Sequence, residues 1–500
     1  MDNKQKSIKN LVYTALSQLI SIAFGLILPR LFVTSYGSEV NGLLNSLGNF
    51  LVCLSLFEAG VGAASLQALY GPVGQDQWDD INGILAATNG YYRKTGTWYL
   101  ICLIVLALGY PIVVESELPP LVISGAVFFS GIGAVVNFFV HGKYSLLLRA
   151  EGKNYIEVNL VTIISILVNL SKVLLIYLGA NIVLILAVEF LLQSIQAVYM
   201  VLYIRRGYKK LNLKVKPNYN AVAQKNFALV HRIGDLVFSN TDVVILTVFC
   251  GLKVVSVYSM FKMVTGNLDR ILSIFVGSFT FLLGQTYQSS LERYRRMIDL
   301  ADSVYGALAY AVYAVALYLF LPFMAIYTDG VTDANYVDGK LAVLFVAAAL
   351  LSHTRVPMCQ TVEIAGHFKQ TMSRSITETA INLIVSLAAV YFWGIYGVLL
   401  GTVVALLYRT NDFIIYANTK CLARKPWRTY AIHLVNILML LLTTVVFDAV
   451  FGRVEIDSFI KLLIVAVPVT LLSLLMFAAA QIICFRHCRE ALSSLIHREK

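Results

Sequence analysis

Residues 155–204 read YIEVNLVTIISILVNLSKVLLIYLGANIVLILAVEFLLQSIQAVYMVLYI, which is two long apolar segments joined at Gly179. Each segment has the roughly 20 residues that a helix needs to cross about 30 Å of hydrocarbon. Comparable segments recur from residue 10 to residue 484, and the whole chain is 58% hydrophobic and 13% charged. This composition excludes a soluble fold and also a single membrane anchor on a soluble domain. The sequence therefore predicts an all-α integral membrane protein.

About 14 apolar segments, separated by Gly, Pro and charged clusters, are predicted to be transmembrane helices. We number them spans 1–14, with approximate bounds 10–33, 40–69, 94–114, 119–141, 155–178, 181–204, 226–250, 254–284, 300–325, 340–356, 376–394, 396–418, 429–449 and 460–484. The expected organisation is an N-lobe (residues 1–213, spans 1–6), a C-lobe (214–420, spans 7–12), and spans 13 and 14 with a tail (421–500).

Lys and Arg residues orient these spans, because basic residues concentrate in cytoplasmic loops. Of the 39 Lys and Arg residues, four are assigned to odd-numbered loops, namely Lys253, Lys340, Arg453 and Lys461, and five to spans. The others are assigned to the N-terminus, the even-numbered loops and the C-terminal tail. Both termini are therefore expected in the cytoplasm, and the basic loop 205–226 is expected to contact anionic lipids.

Several classes of function are disfavoured by the sequence. The net charge of +11 follows from membrane topology, so nucleic acid is not an expected partner. The seven cysteines are scattered without a CxxC pair, so neither a disulfide framework nor a metal site is predicted. A glycine-rich phosphate loop is absent from the sequence, which argues against direct coupling to ATP. No bound cofactor is expected, although coupling to Na⁺ or H⁺ is compatible with the sequence.

A weak internal repeat relates the two halves of the chain, at an offset of about 214 residues. Span 5 follows Glu151-Gly-Lys-Asn and turns at Gly179, and span 11 follows Ala365-Gly-His-Phe-Lys and turns at Gly394 or Gly397. Spans 1 and 2 are expected to hinge at Gly37, and spans 7 and 8 at Gly251. Two related six-span halves suit a transporter that alternates between inward and outward packings, whereas chance similarity between apolar helices is the alternative.

Four segments resemble the Wzx-type oligosaccharide flippases of the polysaccharide transporter family, which shares a superfamily with lipid II flippases and MATE exporters. They are PRLFVTSYGSEVNGLLNSLGNFLVCLSLFEAGVGAASLQALYGPV (29–73), YSLLLRAEGKNYIEVN (144–159), TDVVILTVFCGLKVVSVYSMFKMV (241–264) and AGHFKQTMSRSITETAINLIVSLAAVYFWGIYGVLLGT (365–402). The resemblance is a pattern of small residues and turns along nearly the whole chain, so it specifies the superfamily better than the substrate.

The resemblance implies two six-helix lobes in a V, plus two C-terminal helices, in a bacterial plasma membrane. It implies a flippase that moves an oligosaccharide on undecaprenyl diphosphate by alternating access, for cell-surface polysaccharide biosynthesis. Membrane lipids, a glycan polymerase and glycosyltransferases are the partners that this role suggests.

Charged residues at membrane depth are costly and therefore informative. Span 7 carries Asp235 and Asp242 on one stripe, and span 8 carries Lys262, Asp269 and Arg270. Counting about 1.5 Å per residue from the Gly251 turn places Asp242 level with Lys262. Arg232 with Asp269, and Asp235 with Arg270, match in the same way. These groups either hold the helices together as ion pairs or line a hydrated cavity.

Three further groups lie in the N-lobe spans. Arg30 follows Pro29, which is expected to kink the end of span 1. Arg30 is a candidate diphosphate contact, with snorkelling to lipid headgroups as the alternative. Glu58, near the middle of span 2, is a candidate Na⁺ or H⁺ site together with Asp242. Lys172 and Glu189 flank the Gly179 turn and are expected to form a structural pair.

These observations give one leading hypothesis and two alternatives. The leading hypothesis is the lipid-linked oligosaccharide flippase, with Arg30, Lys262, Arg270, Asp242 and Asp235 as candidate substrate-binding residues. A MATE-like, cation-coupled multidrug exporter would instead favour acidic and aromatic cavity residues. A membrane-embedded glycan enzyme would want a sizeable loop domain or an acidic metal motif, and the sequence shows neither, so the chain is not expected to be an enzyme.

Overall fold

The computed structural model describes residues 3–54, 61–222, 240–452 and 454–498, and every regular element in these ranges is a helix. The predicted all-α fold is therefore confirmed. The helices are α1 (Asn3–Leu54), α2 (Val61–Gly74), α3 (Trp78–Val113), α4 (Pro120–Val136), α5 (Gly142–Ala150), α6 (Asn154–Tyr177), α7 (Ile182–Gly207), α8 (Asn240–Phe249), α9 (Leu252–Ser289), α10 (Leu291–Tyr327), α11 (Gly339–Thr354), α12 (Val356–Ile364), α13 (Phe368–Trp393), α14 (Ile395–Tyr416), α15 (Trp427–Phe451), α16 (Phe459–Cys484) and α17 (Arg486–Arg498).

Eleven helices within the described ranges are long and apolar enough to cross a membrane. They coincide with predicted spans 1, 3 to 6 and 9 to 14. The other three predicted spans coincide with the part of α1 beyond residue 37 together with α2, with the short apolar α8, and with the long α9. The chain is thus a multi-pass membrane protein.

The chain divides into two compact units, Met1–Val257 and Tyr258–Lys500, which we call the N-terminal unit and the C-terminal unit. The division falls inside α9, within two turns of its start. The expected lobe boundaries at residues 213 and 420 stay predictions.

The internal repeat is visible in the backbone of the two units. Gly37 (φ 83°) and Gly251 (φ 79°) both break helices, and the offset between them equals the offset between Gly152 (φ 70°) and Gly366 (φ 72°). The starts of α5 and α12 are related by this same offset, and so are the starts of α6 and α13. Since a positive φ is costly for residues other than glycine, these positions fix equivalent turns in both halves. The predicted repeat and its offset are therefore confirmed.

The predicted helix hairpins are also confirmed. Gly179 (φ 68°) joins α6 to α7, and Gly394 (φ 53°) joins α13 to α14. The first hairpin is completed by Asn181, whose Oδ1 accepts a hydrogen bond of 2.9 Å from the Val183 amide and so caps α7. Helix α1 continues through Pro29 and leaves helical geometry at Gly37, where the sequence predicts the hinge between spans 1 and 2. The kink expected at Pro29 stays a prediction.

Close packing around Gly42 joins the second half of α1 to α8 and the start of α9 in the N-terminal unit. A Cβ atom on Gly42 would lie 1.8 Å from the carbonyl oxygen of Leu252. Beside this contact, Asn41 Nδ2 donates a hydrogen bond of 2.7 Å to Ser256 Oγ. One turn further, the hydroxyls of Ser46 and Thr247 are 2.6 Å apart. The glycine thus allows the backbones to approach closely, and polar side chains hydrogen-bond across the contact.

We expect Gly42→Ala to destabilise the folded protein strongly, because the clash is with backbone rather than with a side chain that can move. The matched control is Gly48→Ala in the same helix, since a Cβ there meets nothing within 4 Å. The control should be neutral or slightly stabilising, by up to about 1 kcal/mol of helix propensity. Thermal unfolding of both variants in detergent checks this, and equal melting temperatures would contradict the packing described.

The two C-terminal helices α15 and α16 pack against α10 through buried polar groups. Gln481 Nε2 donates a hydrogen bond of 2.8 Å to Asn436 Oδ1, which joins α16 to α15. Ser473 Oγ donates to the Ala311 carbonyl of α10 at 3.0 Å. These contacts make spans 13 and 14 an integral part of the C-terminal unit rather than a loose appendage.

The basic loop after α7 is docked on the start of α3. The Asn218 amide donates to the Gly83 carbonyl at 3.0 Å, and the Asn212 amide donates to Asn82 Oδ1 at 2.9 Å. Lys210 forms an ion pair of 3.2 Å with Asp76. This hydrogen bonding fixes the course of the loop over residues 208–219 and leaves most of its basic side chains exposed.

Candidate functional site

A cavity of about 520 Å³ lies inside the N-terminal unit, among α1, α4, α6 and α7. Its walls combine apolar side chains with amides, hydroxyls and one pair of opposite charges. The polar lining residues are Ser21, Asn41, Asn45, Ser130, Ser165, Asn169, Lys172, Glu189 and Gln193. The predicted turn at Gly179 explains the polar wall formed by α6 and α7, because this hairpin brings the polar faces of spans 5 and 6 together.

Lys172 and Glu189 form the predicted ion pair at this cavity, with Nζ and Oε2 separated by 2.8 Å. Gln193 Nε2, one helical turn along α7, donates a 3.2 Å hydrogen bond to the other oxygen of Glu189. Asn169 Nδ2, one turn before Lys172 on α6, donates to Ser165 Oγ at 3.2 Å. The carboxylate is therefore neutralised, and the surrounding amides present both donors and acceptors to the cavity.

A second cavity of about 450 Å³ shares Ser165, Asn169, Glu189 and Gln193 with the first. Its other polar lining residues are Asn137, His141, Glu157, Ser194 and Gln196. Among the described residues, the linings of both cavities are rich in amides, and their carboxylates, Glu157 and Glu189, are paired with Arg149 and Lys172. Such a lining suits a ligand rich in hydroxyl groups, because amides match both the donors and the acceptors of hydroxyls.

The C-terminal unit contains a chain of hydrogen-bonded groups from α9, α10 and α11. Tyr313 donates a short hydrogen bond to Asp269 Oδ1, and His353 Nε2 is 2.8 Å from the same oxygen. Tyr305 Oη is 2.7 Å from His353 Nδ1. Tyr305, Tyr313 and His353 are buried, whereas the Asp269 side chain is 49% exposed. A carboxylate joined to an imidazole and two phenols can accept and pass on a proton.

A second cluster in the C-terminal unit joins α11, α12, α13 and α14 through ion pairs. Arg409, which is 3% exposed, lies between two carboxylates: its Nη1 is 2.7 Å from Asp412 Oδ2, and its Nε is 3.3 Å from Glu378 Oε2. Arg355 Nη1 is 2.5 Å from Glu378 Oε1, and Arg374 pairs with Asp412. Three arginines and two carboxylates leave a formal surplus of one positive charge in this cluster.

The structure describes three of the predicted substrate-binding residues of spans 7 and 8. Asp242, on α8 in the N-terminal unit, is buried, with 4% of its surface exposed. Lys262, on α9 in the C-terminal unit, is partly buried, and its Nζ lies 5.7 Å from the centre of the Tyr258 ring. Arg270 is exposed. The pairing of Asp242 with Lys262 stays a prediction.

The remaining predicted residues are Arg30, which the structure describes, and three residues that lie outside the described ranges. Glu58, Arg232 and Asp235 lie outside the described residues, so the expected coupling site at Glu58 and the two expected pairs of Arg232 and Asp235 stay predictions. Arg30 is partly buried, and its neighbour Pro29 lines the larger cavity whereas Arg30 is not among the lining residues.

Sequence reasoning missed the ion-pair cluster of the C-terminal unit. The orientation count assigned Arg409 to the loops, but Arg409 lies within α14 and is buried. Its spacing of three residues from Asp412, and the spacing of four between Arg374 and Glu378, place each pair on one helix face. Those spacings were the available signal, because they predict one charged face on α13 and another on α14.

No protein-family model and no curated protein sequence matches this chain. Solved structures do match it in fold. A lipid II flippase MurJ in an inward closed conformation aligns with a TM-score of 0.69 at 11% identity, over 94% of this chain and 100% of that chain. An inward-facing multidrug resistance MATE transporter of the MOP superfamily aligns at 0.64 and 13% identity, over 85% and 98%. A MATE protein in a bent conformation aligns at 0.51 and 14% identity, over 87% and 98%.

The helical architecture, the internal repeat and these alignments define the fold of the protein. The chain has the fold shared by the MurJ flippase and the MATE structures. These neighbours are transporters and flippases rather than enzymes. TM-scores of 0.51–0.69 at only 11–14% identity show the fold alone, so the substrate has to be argued from the chemistry of the site.

Proposed function

We propose that this protein is a flippase for a lipid-linked oligosaccharide in a bacterial plasma membrane. It would move a glycan on an undecaprenyl diphosphate carrier by alternating access, for cell-surface polysaccharide biosynthesis. The observation that carries the proposal is the amide-rich cavity of the N-terminal unit, in which Lys172 and Glu189 neutralise each other.

The chemistry of the cavity fits a glycan. Sugar hydroxyls both donate and accept hydrogen bonds, and the side chains of Asn41, Asn45, Asn169 and Gln193 line a cavity of about 520 Å³ with groups of both kinds. A hydrophilic glycan must lose water to enter the membrane, and amide partners offset that loss. The prenyl tail needs no such partners, because it can stay in the lipid.

The diphosphate of the carrier requires cations, since an unpaired anion in an apolar medium is very unfavourable. Lys172 offers an ammonium at the cavity wall, and its three N–H donors allow it to bind a phosphate oxygen while it stays paired with Glu189. Arg30, Lys262 and Arg270 remain candidate contacts from the sequence. Asp242 and the residues outside the described ranges, Glu58 and Asp235, remain candidate coupling or cavity groups.

A cation-coupled drug exporter is the alternative, supported by the alignment to the multidrug MATE transporter. Two observations favour the flippase. Among the described residues that line the larger cavity, the one carboxylate is paired with a lysine, whereas a cationic drug would need an unpaired acid. The MurJ alignment covers 94% of this chain against 85% for the MATE transporter, a difference of about 45 residues, roughly the length of two transmembrane helices.

Coupling to Na⁺ or H⁺, the cytoplasmic location of both termini, and cooperation with a glycan polymerase or glycosyltransferases are further parts of the proposal. The hydrogen-bonded set of Asp269, His353 and Tyr313 gives the C-terminal unit a group able to bind a proton during transport. Loss of transport in Asp269→Asn would be compatible with that role.

A deletion strain tests the proposed function. We expect cells without the protein to lose surface glycan and to accumulate carrier-linked glycan that is accessible only from the cytoplasm. The wild-type gene should restore the surface glycan, and sensitivity to cationic dyes should not change in either strain. Normal surface glycan together with increased dye sensitivity would favour the drug exporter.

A further inference from the structure

A pocket of about 600 Å³ lies at the end of the C-terminal unit where α10 and α15 begin and where α17 follows α16. It is separate from the cavities of the N-terminal unit. Its lining is dominated by arginines, and consists of Arg293, Arg296, Met297, Asp299, Leu300, Arg428, Arg486, His487 and Glu490. The basic N-terminal turns of α10 and the start of α17 supply most of the charge.

Two of the four arginines already have acidic partners. Arg428 Nη1 is 2.8 Å from Asp299 Oδ2, and Arg486 Nε is 2.6 Å from Glu490 Oε1. Arg293 and Arg296 are exposed, and neither side chain has a carboxylate within 4.0 Å among the described residues. The lining therefore carries a formal surplus of two positive charges, which these two arginines supply.

His487 does not add to this surplus. It anchors α17 to α10, because its Nε2 is 2.8 Å from Ser303 Oγ. Burial lowers the pKa of His487 below its ordinary value, and this effect exceeds the opposing attraction of Asp299. The imidazole is thus neutral at pH 7, and an anion in the pocket would be held by guanidinium groups.

Neighbouring residues place the pocket at the membrane surface. Trp427, next to Arg428, is 76% exposed, and an exposed Trp at the start of a span is typical of the headgroup region. Leu434 and Ile437 follow on α15 and are exposed at 57% and 45%, as expected for side chains that face acyl chains. A charged pocket beside a lipid-facing apolar surface matches the two ends of a phospholipid.

We propose that this pocket binds the phosphate headgroup of an anionic phospholipid. Arg293 and Arg296 lie three residues apart on α10, so their side chains extend over the same face. A guanidinium can hold two phosphate oxygens at once, which gives the pair both charge and geometry for a phosphodiester. The bound lipid connects α10 to α15 and α17. This proposal does not depend on the transported substrate.

Thermal unfolding of the purified full-length protein tests the site, with short-chain phosphatidylglycerol as the probe. We expect phosphatidylglycerol to raise the melting temperature of the wild type and phosphatidylcholine to have little effect. In Arg293→Gln/Arg296→Gln, the phosphatidylglycerol concentration for half the effect should rise at least tenfold. The matched control is Arg93→Gln/Lys94→Gln, an exposed basic pair on α3, which should keep the wild-type response.

Three results would overturn the proposal. One is an unchanged phosphatidylglycerol response in the Arg293/Arg296 variant, and another is an equal loss in the control variant. The third is an equal effect of inorganic phosphate, which would show a site for soluble anions instead. If the double variant does not fold, the single changes Arg293→Lys and Arg296→Lys, which keep charge but lose bidentate geometry, should each weaken the response, and native mass spectrometry should count fewer bound lipids.

Discussion

Replacing Arg409 with alanine is expected to destabilise the protein by about 3–5 kcal/mol, the range for removing one partner from a buried ion pair. Arg409 is 3% exposed and contacts both Glu378 and Asp412. Its guanidinium carbon also lies 3.8 Å from the centre of the Phe413 ring. Without Arg409, Glu378 keeps only Arg355 and Asp412 keeps only Arg374 as a partner. The cavity left by the Arg409 side chain would then be lined by these charged groups.

The matched control is Arg374→Ala. Arg374 pairs with the same Asp412, but its side chain is 37% exposed, so solvent can replace part of what is lost. We expect this variant to lose no more than about 1–2 kcal/mol. Thermal unfolding in detergent compares the two, and Arg409→Lys should fall between them because lysine keeps the charge without the planar fork. Equal melting temperatures for Arg409→Ala and Arg374→Ala would contradict the larger contribution to stability that burial gives Arg409.

The second large effect is expected at the Lys172–Glu189 pair. Lys172→Ala leaves Glu189 as an unbalanced acid at the cavity, and Glu189→Gln leaves Lys172 unbalanced, so each single change should lower the amount of folded protein. The double change Lys172→Ala/Glu189→Gln removes both charges and should restore folding. Transport should nevertheless remain at least tenfold below wild type, because the ammonium that we propose as a diphosphate contact is missing.

The control pair is Lys253 and Glu117, which lie 2.8 Å apart in the same unit with side chains 38% and 78% exposed. Exposed pairs contribute about 0–1 kcal/mol, so Lys253→Ala/Glu117→Gln should fold and transport normally. Surface glycan measured at matched amounts of membrane protein separates the two cases. If Lys172→Ala/Glu189→Gln transports as the wild type does, the pair is structural only.

Hairpins and their partners could be predicted from the sequence. Gly179 fixes an antiparallel turn, and counting residues on both sides of it places Lys172 level with Glu189, as the structure confirms. The same local logic located Gly37, Gly251 and the offset of the repeat. In each case a short turn makes two consecutive helices neighbours. The position of each residue along its helix was then the quantity left to estimate.

Contacts between helices distant in sequence could not be predicted in this way. Counting gave Asp269 the depth of Arg232, but the described partners of Asp269 are Tyr313 on α10 and His353 on α11. Likewise, Arg409 meets Glu378 only because α13 and α14 pack along their polar faces. The position of a residue along its helix follows from counting within the local sequence. Which distant helix packs beside it depends on the whole bundle, and the volume of a cavity depends on that packing too.

Reconstitution into proteoliposomes tests the central claim most directly. The purified protein would be inserted with an undecaprenyl diphosphate-linked oligosaccharide, and the glycan that reaches the opposite leaflet would be measured by its cleavage with an added glycosidase. The account predicts that the protein moves the lipid-linked glycan, that Lys172→Ala/Glu189→Gln does not, and that a cationic dye is not transported by either. Transport of the dye without movement of the lipid-linked glycan would contradict the account.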